Sequence, residues 1–151
     1  YEIYQCDWSS DVALPISTEQ EVTAGMLVLA QSGRADAQTA LGIRYALGKG
    51  VTRDYAEGAR WLRTAAEQGQ RFAQFNLGVL YASGNGVAQD NASAYLWFSL
   101  AASRATGDER ADYLSYRDRV APLLTPQQIA DAQHRAREWQ AAFEKRQAQR
   151  K

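Results

Sequence analysis

Apolar residues fall on a helical period through most of this chain. Ala37, Leu41 and Tyr45 lie at i, i+4 and i+8, a narrow stripe that predicts a helix from about Asp36 to Leu47. Gly42 sits beside that stripe, where a missing Cβ lets another helix approach closely. Gly48 and Gly50 then end the helix and reverse the chain, because glycine reaches positive φ at little cost. Asp54 suits an N-cap, with Glu57 three residues on as its capping-box partner. The next stripe is Ala59, Leu62, Ala65 and Ala66 with Trp61 close by, a second helix that Gly69 closes.

The same pattern then recurs. Gln38 and Gln74, Leu41 and Leu77, Gly42 and Gly78, and Tyr45 and Tyr81 are each 36 residues apart. That offset also joins Gly48 to Gly84, Gly50 to Gly86, Val51 to Val87, Asp54 to Asp90 and Trp61 to Trp97. Backward, it maps Ala66-Glu67-Gln68-Gly69 onto Ala30-Gln31-Ser32-Gly33, so half a unit precedes the first full one. A period in this range denotes units that bury a face only by stacking on their neighbours. The expected layout is a half repeat over 21–34, repeats over 35–70 and 71–106, and a degenerate capping pair over 107–147. Small residues at the contacts imply close helix spacing, and the Tyr and Trp rings fill the wedges between units.

After Ala102 the pattern loosens. The stretch "SRATGDERADYLSYRDRVAPLL" (103–124) should supply another first helix, with Ala111, Leu114, Tyr116 and Val120 available to pack, and Ala121-Pro122 disfavours its continuation. Thr125-Pro126-Gln127-Gln128 marks a new start: Thr as cap, Pro at the first position, Gln at the third. Ile129, Ala132, Ala136, Trp139 and Phe143 form one face of the helix that follows, and Gln133, Arg135, Arg137 and Glu138 the other. An apolar face backed by a charged one suits the end of a stack. The closing "EKRQAQRK" reads as a solvated tail. Residues 1–20 stand outside the pattern, with no initiator Met, helical stripe or basic-then-apolar leader. They are expected to be either a linker from a longer upstream protein or a non-native stretch, and they assign no compartment.

Composition narrows the function classes. The chain has 151 residues, 17 basic and 17 acidic, for a formal charge of zero, so no global field favours nucleic acid or an anionic membrane. No apolar run approaches the ~20 residues of a membrane span. Gly48-Lys49-Gly50 invites comparison with a phosphate-binding loop, but such a loop needs G-x-x-x-x-G-K-[ST] after a strand. Val51 follows here, no β-branched run precedes, and Asn85 stands in the place of Lys49 in the second copy. The loop is a repeated structural part. His134, the single histidine, falls on the outer face of the last helix, with no orienting acid or nucleophile nominated beside it. Cys6 alone makes no disulfide or metal framework, and Asp54 and Asp90 are explained as caps. No cofactor, metal or catalytic set is implied.

The segment "AEQGQRFAQFNLGVLYASGNGVAQDNASAYLWFSLAA", from Ala66 to Ala102, resembles the Sel1-like repeat family, relatives of the tetratricopeptide repeats. The resemblance covers about Glu21 to Trp139. It implies an all-α, right-handed α-solenoid of antiparallel helix pairs with a C-terminal capping helix. In function it implies a non-enzymatic adaptor that binds a protein or peptide partner, often in bacterial signalling, envelope or secretion systems. A hydrolase of cell-wall or lactam-like substrates is the alternative, a role suggested for disulfide-rich relatives that carry cysteines in every repeat; this chain has none there. In such units the first helices make the concave wall. Aligned on Leu41 and Leu77, that wall takes Asp36, Thr39, Ile43 and Leu47 from one unit and Phe72, Phe75, Asn76 and Val79 from the next. These apolar residues either pack on neighbouring helices or form a groove anchored by the two phenylalanines, with Asn76 and Arg44 supplying polar contacts.

Overall fold

The caps, turns and stripes above resolve into seven helices among the described residues. A computed structural model of the chain describes residues 3–7, 12–16 and 18–150. Two short strands, β1 (Ile3–Asp7) and β2 (Val12–Ile16), pair antiparallel with Ile3 opposite Ile16. They lie in the opening segment that the repeat does not include; residues 1–2, 8–11 and 17 of that segment lie outside the description, as does residue 151 of the tail. Then follow α1 (Thr18–Gln31), α2 (Ala35–Leu47), α3 (Tyr55–Glu67), α4 (Arg71–Ser83), α5 (Asn91–Ser103), α6 (Gly107–Val120) and α7 (Pro126–Ala148). The repeat part is an all-α solenoid. Each helix from α1 to α5 packs on the next in sequence, and α7 packs on α5.

Glycine turns that end the first helices and aspartate caps that start the second recur in both units. Gly48 and Gly84 take φ of 70° and 72°, closing α2 and α4 in the left-handed region that glycine favours. The reversed chain is then pinned: the Asp54 N–H donates to the Tyr45 carbonyl at 2.9 Å, and the Asp90 N–H to the Tyr81 carbonyl at 3.0 Å. Asp54 Oδ1 accepts from the Glu57 N–H at 3.0 Å, but only this half of the expected capping box forms. The Glu57 carboxylate instead pairs with Arg60 at 2.7 Å. Asp90 caps α5 more fully, accepting from the Ala92 and Ser93 N–H groups at 3.0 and 3.1 Å and from the Ser93 hydroxyl at 2.6 Å. Thr125 and Gln128 complete a reciprocal capping box at α7, with Pro126 at its first position.

Within a unit the two helices meet at glycine. A Cβ on Gly42 would stand 2.7 Å from the Leu62 side chain, and one on Gly78 2.7 Å from the Phe98 ring. Between units the second glycine of each loop does the same: a Cβ on Gly50 would fall 2.3 Å from the Glu19 carbonyl oxygen, and one on Gly86 2.3 Å from that of Tyr55. The repeated glutamines also join units. Gln38 Nε2 donates to the Ala30 carbonyl at 3.0 Å and Gln74 Nε2 to the Ala66 carbonyl at 3.1 Å, each satisfying a carbonyl near the end of the preceding helix. Leu41, Leu62, Leu77 and Phe98 are fully buried at these contacts.

The two ends of the stack differ. Val22, Met26 and Leu29 of α1 stand 36 residues before Gly58, Leu62 and Ala65, three positions that α3 buries. In α1 that face is open: Val22 is 47% and Leu29 44% exposed. At the other end Ala132 and Phe143 of α7 are buried, and Ile129, Ala136 and Trp139 pack partly buried against α5. The Trp139 ring stacks on Phe143 at 5.1 Å and meets Trp97 edge-on at 6.4 Å. Gln133, Arg135, Arg137 and Glu138 face outward, and the last residues through Ala148 continue the helix, exposed. In α6 the buried residues are Tyr113 and Val120, while Ala111 is exposed and Tyr116 partly so. Tyr113 occupies the place of Leu77 one period on, and this register, rather than Ala111, sets the packed face.

Candidate interaction surface

The first helices α2, α4 and α6 form one wall of the stack, and the residues nominated from sequence sit on it in different states. Leu47 is 69% and Phe72 46% exposed. Asp36 is exposed and held by Arg34 at 2.7 and 3.2 Å; the bonds from Arg34 keep its carboxyl below the usual carboxylate range. Thr39 is buried, its hydroxyl donating to the Ala35 carbonyl at 2.7 Å. Ile43 and Val79 are partly buried against the second helices. Asn76 is half-buried and donates to the Phe72 carbonyl at 2.7 Å. Arg44 lies largely buried between α1 and α2, its Nε donating to the Thr23 hydroxyl at 2.7 Å and its Nη2 paired with the Glu19 carboxylate. Arg44 thus ties two helices together.

Phe72 and Phe75 do come together, and α6 joins them. Their ring centroids are 6.3 Å apart; Phe75 also stacks on Tyr113 at 4.8 Å and meets Tyr116 edge-on at 4.9 Å. With Glu109 and Asp112 these four rings line a groove of about 570 Å³ between α4 and α6. Phe75 also touches Phe98 behind it at 5.7 Å, so it is the floor, while Phe72 and the 38%-exposed Tyr116 stand at the rims. Extending the 36-residue offset once more would have found Asp112, which stands under Asn76, and Tyr113, under Leu77.

The polar groups of the groove are unequally satisfied. Glu109 accepts from the Tyr113 hydroxyl at 2.8 Å and pairs with Arg71 at 3.4 Å. Burial, together with the bond to Glu109, holds the Tyr113 hydroxyl well above the ordinary phenol range, so it stays protonated. Asp112 has no hydrogen-bond or ion-pair partner among the described residues. The Arg119 guanidinium lies 5.0 Å from the Tyr116 ring centre.

Elsewhere the chemistry is sparse. His134 pairs with Glu138 at 3.3 Å, both largely exposed. A second hollow of about 390 Å³ between α5 and α7 contains Ser99 and Ser103, whose hydroxyls donate to the Tyr95 and Leu100 carbonyls at 2.8 and 2.7 Å. Among the described residues no cluster of three or more His, Cys, Asp or Glu side chains could hold a metal ion. No described helix is long and apolar enough to cross a membrane.

Comparison with known proteins agrees with this architecture. Residues 35–70 and 71–105 each match the family model of the Sel1 repeat. No curated protein matches the chain. Among solved structures, a protective antigen present in uropathogenic Escherichia coli strains, displaying an SLR fold, is 32% identical with a TM-score of 0.76. The match covers 82% of this chain and 26% of the antigen, so the chain spans about a quarter of that protein's length. A Sel1 repeat protein from Oxalobacter formigenes is 24% identical with a TM-score of 0.57, over 83% of this chain and 64% of that one, and bears on the fold alone.

Proposed function

The chain belongs to the Sel1-repeat family, whose repeats generally mediate protein–protein interactions, and on that premise we propose that it is a non-enzymatic adaptor that binds a partner protein on the concave wall of its first helices. The observation that carries this reading is the aromatic groove between α4 and α6. Phe72 and Tyr116 are large rings left exposed at its rims, while their neighbours fix the floor. Rigid aromatic side chains in a recessed site are what hot spots are made of, because a partner desolvates them at little entropic cost. The engaged serine hydroxyls and the exposed His134 supply no nucleophile–base pair, which argues against the hydrolase alternative.

Phe72 and Phe75 should be tested separately. Phe75 contacts four other rings, and its truncation should cost about 2–4 kcal/mol of stability. Phe72 is near half exposed, so Phe72→Ala should leave the fold intact while weakening a partner by about tenfold or more. Affinity capture with crosslinking from the source organism would compare Phe72→Ala combined with Tyr116→Ala against Val28→Ser on α1. Loss of the captured partner in the first variant alone is expected. Equal capture by both variants, with melting midpoints unchanged, would overturn the concave-wall reading.

A further inference from the structure

Six side chains line the α4–α6 groove: Phe72, Phe75, Tyr113 and Tyr116 with Glu109 and Asp112. Four rings and two carboxylates stand there; Arg71 pairs with Glu109 and Arg119 lies over the Tyr116 ring, but among the described residues no cation pairs with Asp112. We propose that this groove receives an arginine or lysine side chain of the partner, so that the segment bound is a basic one. The proposal rests on the adaptor reading above and specifies the partner's chemistry at the same site.

Each class of occupant can be weighed against the groove. An acidic side chain would meet Glu109 and Asp112, and like charges at short range are repelled. A purely apolar one would suit the rings but would strip water from Asp112, which has no partner of its own among the described residues. A cationic side chain satisfies both parts. Its apolar stem lies along Phe72 and Phe75, its charge meets the negative ring faces, and its N–H groups reach the free carboxylate. Glu109 is already half committed, to Tyr113 and Arg71, which leaves Asp112 as the principal acceptor. A planar guanidinium stacks and forks in a way that an ammonium cannot, so arginine should be preferred to lysine. The attraction is local, since the whole chain is neutral by formal charge. Arg119 already lies against the Tyr116 ring, so the site has an internal example of the contact it would offer.

The test uses the full chain and four small probes: the N-acetyl, N′-methylamide derivatives of arginine, lysine, norleucine and glutamate. Each is titrated in the millimolar range while backbone and aromatic NMR shifts are followed. Saturable shifts confined to Phe72, Phe75, Asp112 and Tyr116 are expected with arginine, weaker ones with lysine, and none with glutamate or norleucine. Asp112→Asn, a near-isosteric change at an exposed position, should weaken arginine binding by about fivefold without altering the spectrum elsewhere. Norleucine binding as well as arginine, or Asp112→Asn binding arginine unchanged, would overturn the charge preference while leaving the groove as a docking site. If no probe shifts these residues, the basic-segment proposal falls. The adaptor reading is then judged separately, by whether partner capture depends on Phe72 and Tyr116.

Discussion

Gly86 and Gly84 have the same φ, 72°, yet the structure gives their Cα hydrogens different surroundings. An alanine at either position must hold an L side chain in the left-handed region, at roughly 1–2 kcal/mol. At Gly84 the new Cβ would lie 3.2 Å from the Gln89 Cβ, which a small adjustment relieves. At Gly86 it would lie 2.3 Å from the Tyr55 carbonyl carbon and oxygen and 2.7 Å from the Ala56 nitrogen. Ordinary non-bonded contacts are about 3.5–4.0 Å, so the loop and the start of α3 would have to separate. Overpacking of that kind adds about 1–3 kcal/mol. Gly84→Ala should therefore cost about 1–2 kcal/mol and Gly86→Ala about 2–5 kcal/mol. Urea unfolding followed by ellipticity at 222 nm reads both, with the slope checked for loss of cooperativity between units. Equal midpoints for the two variants would refute the close approach between units and leave backbone strain as the sole cost.

Lys49→Ala should change stability by less than about 0.5 kcal/mol, because Lys49 lies 3.5 Å from Glu19 in an exposed pair; chemical denaturation checks it. Asp90→Ala should cost about 1 kcal/mol through loss of the α5 cap, read in the same assay. Partial burial pushes the Asp90 carboxyl up, but bonds from Ser93 and Ala92 and the charge of Arg135 outweigh it and hold it below 3.8. Its folded value is depressed, so its contribution is present above 3.8 and is lost as the pH falls through the lowered value. Asp90→Asn should flatten that part of the acid unfolding curve. Tyr113 is shifted the other way, mainly by burial, so its contribution is complete below the ordinary phenol value of 10.0 and is lost as the pH rises beyond it. Tyr113→Phe should reduce the loss of stability in strong alkali, followed by the 222 nm signal against pH.

Features set by a few consecutive residues were legible in the sequence. Gly48 and Gly84 ending helices, Asp54, Asp90 and Thr125 starting them, and Gly42 and Gly78 admitting a neighbour all follow from backbone rules at fixed spacing. What escaped depends on side chains that meet across elements. Arg44 reads as an outward cation until Glu19 and Thr23 of α1 are seen to enclose it. Phe75 reads as either a packing residue or a groove anchor until Tyr113 and Tyr116 are seen to cover it. Tyr116 stood in the expected face, but Tyr113 was obscured because α6 keeps the 36-residue register without the Leu-Gly pair that marks it, and Ala111 was expected to pack instead. Glu57 shows the limit of local motifs, since its carboxylate was drawn to Arg60 rather than back to the cap.

The open face of α1 makes the stack a scaffold that can be lengthened by design. Val22, Met26 and Leu29 already present, in correct register, the surface that α3 turns toward α2. A duplicate of the Ala35–Leu47 segment and its glycine loop, placed ahead of Thr18, would bring Leu41, Gly42 and Tyr45 equivalents onto that surface. Covering two half-exposed aliphatic side chains and one methionine should return a few kcal/mol toward the entropy of ordering the added helix. Lengthening in this direction leaves the groove at Phe72 and Tyr116 untouched. Tethering chemistry could therefore be added at one pole of the molecule while the aromatic groove stays at the other.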